Sequence, residues 1–212
     1  GYGLPAAGHL TAEMGVITVV TMIAAGFDPA SLAAHQIALN LASFTFMVPL
    51  GLSSAAAVRV GSAVGRGDAA GAARAGWTAL GLGLAFMTTT ALAFLLLPEP
   101  LLRIFTSDAR VLASGVGLLF VAAIFQLFDG AQVVLTGALR GTGDTRTPMV
   151  ANLIGYWVLG LPIGLLLCFG RGLEILGLWI GLCVGLVAVG LALLAAWTRV
   201  GAQRITLTRH TA

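Results

Sequence analysis

Six apolar runs follow one another along this chain, each long enough to carry a helix through a bilayer, and no other feature limits the fold as strongly. A crossing takes about 20 mostly apolar residues at 1.5 Å rise each. A window of that length selects residues 4–25, 31–57, 74–97, 110–138, 147–169 and 174–197. In hydrocarbon each backbone N–H and C=O needs a partner within the segment, so each run reads as a helix. Of the 212 residues, 58 % are hydrophobic and 9 % charged, against about a quarter charged in a soluble domain. The expected fold class is therefore an all-α integral membrane bundle of six transmembrane helices over residues 1–198, followed by a tail from 199 to 212.

Helix breakers separate the runs: Gly-Phe-Asp-Pro at 26–29, the Gly/Arg/Asp stretch from Gly61 to Gly71, Pro98 and Pro100, Gly141 to Pro148, and Gly170 to Gly172. Pro49 and Pro162 fall inside runs two and five and are expected to kink them. Every basic residue other than histidine is an arginine, and their placement orients the bundle. Eight arginines fall on one side, namely Arg59, Arg66, Arg74, Arg140, Arg146, Arg199, Arg204 and Arg209. Three fall on the other, Arg103, Arg110 and Arg171. The positive-inside rule then makes the eight-arginine side and the C-terminus cytoplasmic. These scattered arginines form no nucleic-acid-binding cluster, so no nucleic-acid partner is expected. The chain opens on Gly1 without a signal-peptide pattern, and we expect the 212 residues to be part of a longer protein.

Two acids stand near the middle of apolar runs: Glu13 in the first and Asp129 in the fourth. An acid at that depth costs on the order of 3 kcal/mol to insert, so each should face the bundle interior and is a functional candidate by default. The competing account is a protonated acid hydrogen-bonded to a neighbouring helix. Gln126 and Gln132 lie three residues either side of Asp129 on one inclined face, His9 precedes Glu13 by one turn, and Gln36 and Asn40 form a similar pair in the second run. For these amides and for Asn152, hydrogen bonding between helices is the better account. The glycines, as in "GLCVG" at 181–185, suit close helix approach. Phe44, Phe46, Met47, Phe125 and Phe128 are of the types that cradle a flat cation, and equally of the types that pack.

Other chemistry finds no support. His9 and Glu13 alone do not make a metal site. No Gly-x-Ser-x-Gly occurs, His35 and His210 sit near a run's end and in the tail, and "GSAVGRGDAAGAARAG" lacks the Gly-Lys-Ser/Thr of a phosphate loop. Cys168 and Cys183 read as small apolar residues. We expect no enzyme and no cofactor.

Four stretches carry a family resemblance: "GLPAAGHLTAE" (3–13), "AAHQIALNLASFTFMVPLGLSSAAAVRVGSAVGRGD" (33–68), "FQLFDGAQVVLTGALRGTGDTRTP" (125–148) and "GYWVLGLPIG" (155–164). Their order resembles the C-terminal half of the multidrug and toxic compound extrusion (MATE) family, in its NorM-like bacterial branch. The resemblance implies one six-helix lobe of a twelve-helix transporter in the bacterial inner membrane. Its partners would be the N-terminal lobe, the lipid bilayer, and small cationic or amphipathic substrates exported in exchange for Na+ or H+. It also implies that Glu13 and Asp129 are the two C-lobe carboxylates that bind cation and substrate, with Na+ a possible metal there. Gln126, Gln132, Gln36, Asn40, His9 and Phe125 would be secondary members. Related transporters can carry a tyrosine where Phe125 stands, and without its hydroxyl one Na+ ligand is lost. A lipid-linked oligosaccharide flippase of the same superfamily is the nearest alternative, and would favour basic rather than acidic residues at mid-membrane. A non-transporting membrane subunit is the other, and predicts that neutralising both acids changes nothing.

Overall fold

The computed structural model describes the backbone from Gly3 to Arg209 and the side chains from Met14 to Val200. Its described residues are helical apart from short connections. The elements are α1 (Gly3–Ala24), α2 (Pro29–Gly65), α3 (Ala69–Leu96), α4 (Pro98–Arg103), α5 (Ala109–Gly141), α6 (Arg146–Asn152), α7 (Leu161–Leu165) and α8 (Glu174–Arg209). Two π-helical stretches, Leu153–Gly160 and Leu166–Gly170, join α6 and α7 into one span from Arg146 to Gly170. Among the described residues five helices are long and apolar enough to cross a membrane, and Met14–Ala24 is the described part of a further apolar helix.

Aspartates start four of these helices. Asp28 accepts from Ala30 N, Asp68 from Gly71 N, Asp108 from Arg110 N, and Asp144 from both Arg146 N and Thr147 N. Each satisfies a backbone N–H that the first helical turn leaves open, and places negative charge at the positive end of the helix dipole. Hydrogen bonding from Ser31 holds the Asp28 carboxyl below its ordinary 3.8. Its capping contribution is thus complete above that pH and lost as the pH falls through the lowered value. The chain's fifth aspartate, Asp129, starts no helix.

One expectation is corrected. The segment from Gly61 was read as a connection, yet α2 continues to Gly65 and is capped by Arg66, followed by Gly67, whose φ of +72° suits glycine's freedom in the left-handed region. Apolarity marks where the bilayer ends, but an Ala-rich sequence stays helical beyond it. α8 likewise runs past the apolar run, through Arg209. The breaker at Pro98 and Pro100 starts a short helix, α4, with Pro98 at its first turn where the missing N–H is harmless. Pro162 does perturb the fifth span. It has no N–H to offer one turn back, and just before it the Leu161 N–H donates to Tyr156 O, five residues earlier, in the wider π pattern.

α5 is the central post, packed against α2, α3, α4 and α8. Glycine brings the helices this close. A Cβ on Gly137 would collide with the Ser53 carbonyl, and one on Gly141 would lie 2.7 Å from the Ala57 carbonyl oxygen, so α2 and α5 touch backbone to backbone. Gly177, Gly181 and Gly185 do the same for α8 against the Leu153–Gly170 segment. Trp179 and Trp197 are both buried in the bundle.

Candidate functional site

The inward face of α5 carries Gln126, Asp129, Gln132 and Thr136 in one inclined row, all buried, with Asp129 only 7 % exposed. Steps of three or four residues keep the row on one side of the helix. Gln132 Nε2 donates to Asp129 Oδ1 at 3.5 Å, and Asn152 Nδ2 donates to Gln132 Oε1 at 3.5 Å and to Pro148 O at 2.8 Å. The expected hydrogen bonding between helices is thus found for these amides. At the other end of the row Gln126 Oε1 lies 2.9 Å from Thr45 Oγ1 on α2, while Gln126 Nε2 and Asn152 Oδ1 have no partner.

Asp129 opens onto a cavity of about 110 Å³ between α1, α2, α5 and α8. Its other walls include Phe46, Phe125, Trp179, Ser43 and His35. Phe125 and Trp179 meet edge to face with ring centroids 5.8 Å apart, and Trp179 meets His35 in the same way at 6.0 Å. A carboxylate among aromatic rings suits a cation that sheds its water. The volume suits a small ion, whereas drug-sized sites run from about 300 Å³ upward.

His35 was not anticipated as part of this site. It is buried, and it ties three helices together. Trp179 Nε1 donates to His35 Nδ1 at 3.0 Å, and His35 Nε2 lies 3.1 Å from Thr21 Oγ1, whose own proton goes to Ile17 O. An indole nitrogen only donates, so His35 carries its proton on Nε2 and gives it to Thr21. Helical register held the missing signal: His35 shares a face with the buried Ala38, Ala42 and Thr45, whereas Gln36 and Asn40 are turned outward and exposed. Trp179→Phe keeps an aromatic side chain but, with the smaller ring, leaves His35 Nδ1 without its donor, a loss of about 1–3 kcal/mol. The expected result is a melting temperature lower by roughly 5 °C in detergent, readable by thermal unfolding.

Glu13 and His9 belong to α1, but their side chains lie outside the described residues. By position Glu13 is one turn before Ile17, which lines the cavity. Among the described residues no cluster of three histidine, cysteine or acidic side chains could hold a metal ion.

Comparisons with known proteins give a consistent result. The MatE family pattern matches residues 5–166. The chain is 47 % identical over 202 residues to a probable multidrug resistance protein NorM of Mesorhizobium japonicum, covering 93 % of this chain and 43 % of that protein. It is 43 % identical over 207 residues to a probable multidrug resistance protein NorM of Deinococcus radiodurans, covering 94 % of this chain and 46 % of that one. The chain thus spans less than half the length of these curated relatives. Among solved structures, the eukaryotic MATE transporter AtDTX14 superposes with a TM-score of 0.83 at 23 % identity, over 96 % of this chain and 47 % of that chain. A MATE structure in a straight conformation gives 0.85 at 16 % identity, over 94 % and 45 %. At such identities the structural likeness speaks for the fold.

Proposed function

Because the chain belongs to the MatE family, we propose that it forms the C-terminal lobe of a two-lobed secondary antiporter exporting lipophilic or cationic compounds in exchange for a proton or Na+. The bacterial inner membrane is its site, with the eight-arginine side facing the cytoplasm. One observation carries the mechanism: Asp129 is buried within a helix long and apolar enough to cross a membrane, beside an aromatic-walled cavity. In that low-dielectric setting the charge is costly, and a bound proton, Na+ or organic cation relieves it. Species that relieve the same charge compete, and competition across a membrane is exchange. Entry of the coupling ion from outside releases the exported cation, and the exported cation from inside displaces the ion, as the two lobes alternate access. Each positive charge moving inward adds about 2.3 kcal/mol per 100 mV.

The outer face of α2 supports a second lobe. Gln36, Asn40, Phe44 and Met47 follow one another at steps of three or four residues, and Phe44 is 79 % and Met47 63 % exposed. A stripe that begins with amides and continues with polarizable apolar side chains suits a wall shared with a second lobe, where amphipathic substrates would lie.

Proton coupling is the simpler form of the reading. Among the described side chains lining the cavity, oxygens come from Asp129 and Ser43 alone, and Phe125 offers none. Hard cations are held by several oxygen ligands. The acidic charge at this depth also runs against recognition of a lipid-linked pyrophosphate, which needs bases.

The test is efflux of a cationic dye from vesicles containing the two-lobed protein, driven in turn by an H+ and by a Na+ gradient. Export under the H+ gradient is the expected result. Export under Na+ alone would move the coupling to Na+, and export indifferent to both gradients would end the antiporter reading.

A further inference from the structure

A second cavity lies away from Asp129. It is a groove of about 710 Å³ between α2 and α3, at the end where the two helices are joined. Arg66 and Arg74 line it near the joined end and Arg59 two turns further along α2, all three exposed. Arg59 and Arg66 are two turns apart on one face of α2, and Arg74 comes from the first turns of α3. No ion pair among the described residues engages any of the three; the pairs present join Arg103 to Glu99 and Arg110 to Asp108, on other connections. The nearest acid in sequence, Asp68, has its carboxylate on Gly71 N as a helix cap.

From the arginines the groove runs along α2 to Leu52 and along α3 to Leu82. Fourteen residues from Arg66 to Leu52 cover about 21 Å of helix. Over that distance the walls change from guanidinium to aliphatic, and Ala56, Ala63 and Ala79 keep the floor low. Trp77, on α3 just beyond Arg74, is 46 % exposed, and tryptophan is enriched at membrane–water interfaces.

We propose that this groove binds an anionic phospholipid, its phosphate among Arg59, Arg66 and Arg74 and one acyl chain against the aliphatic end. Guanidinium forks match phosphate oxygens, and basic pockets between membrane helices collect anionic headgroups. A free phosphate would use the charged end only and leave the aliphatic end unexplained. The volume is that of a ligand site.

The test uses the two-lobed protein, delipidated in detergent and titrated with phosphatidylglycerol, phosphatidylcholine or inorganic phosphate. Bound lipid is read by native mass spectrometry and stabilisation by thermal shift. Phosphatidylglycerol is expected to bind and stabilise in preference to phosphatidylcholine. Arg59→Gln, Arg66→Gln and Arg74→Gln should each weaken that binding about fivefold, from about one unit of surface attraction per arginine. Arg103→Gln, in its own pair with Glu99, should leave it unchanged. The single variants are read separately, so the test does not depend on a triple variant folding. Three results would overturn the proposal: unchanged lipid binding in all three variants; an equal shift from inorganic phosphate, which would make the site one for free anions; or arginines equally shielded from a guanidine-modifying reagent with and without lipid, which would make the groove a contact with the other lobe.

Discussion

Asp129→Asn is expected to reduce gradient-driven export to background while leaving the protein folded. Asparagine has the same shape, its Oδ1 still accepts from Gln132 Nε2, and the buried surroundings of position 129 are undisturbed. The charge is removed and one acceptor oxygen becomes an amide donor. A unit charge attracts a cation 4 Å away by about 4 kcal/mol at an effective dielectric constant of 20, so losing it weakens the site roughly a thousandfold. The measurement is dye efflux from vesicles, with melting temperature recorded on the same preparations. Asp129→Glu restores the charge on a longer stem and should recover part of the export, which a merely structural role would not require. Glu13→Gln tests the companion acid in the same assay. An Asp129→Asn protein exporting at the wild-type rate would make the carboxylate a packing residue and end the mechanism proposed above.

That prediction rests on a residue legible from sequence, because a carboxylate in an apolar run is costly wherever the helix is placed. The helices were legible for the same reason: hydrophobic length is dictated by the bilayer. Their ends were less so. The extension of α2 to Gly65 depends on backbone propensity beyond the membrane, which hydropathy does not measure. The site was legible in part. The spacing of Gln126, Asp129 and Gln132 put them on one face of α5, and the structure finds all three buried there. His35 and Gln36 are adjacent and both polar, and a 100° turn separates the buried residue from the exposed one. Choosing between them requires the position of α8, because it is Trp179 that gives His35 its partner. The groove between α2 and α3 was hidden more completely. Its arginines were read as topology signals, and only the meeting of two helices at small residues turns them into a pocket.

Gly181→Val is expected to prevent a stable bundle from forming. The residue sits where α8 crosses the span from Arg146 to Gly170, between Gly177 and Gly185 on the same face. A Cβ there would lie 2.6 Å from the Gly160 carbonyl oxygen and still closer to the backbone of Gly164. Those are main-chain atoms, so no rotamer change relieves the clash; the helices must separate by more than an ångström. Separation also loosens the packing of the neighbouring pairs, since Gly177 lies against Cys168 N and Gly185 against the Gly155 carbonyl. Overpacking typically costs about 1–3 kcal/mol where side chains can shift. Two facing backbones put this case at or above the upper end, equivalent to a melting temperature lower by roughly 10 °C or more. Gly81→Ala is the control: a Cβ at position 81 meets nothing within 4 Å, and alanine favours the helix by up to about 1 kcal/mol. Size-exclusion profiles and thermal unfolding of the two variants should therefore diverge, Gly181→Val aggregated or strongly destabilised and Gly81→Ala at or slightly above wild type. A Gly181→Val protein that is monodisperse and melts with the wild type would mean that α8 does not cross the fifth span at backbone contact, and the cavity wall formed by Trp179 and Leu182 would have to be placed anew.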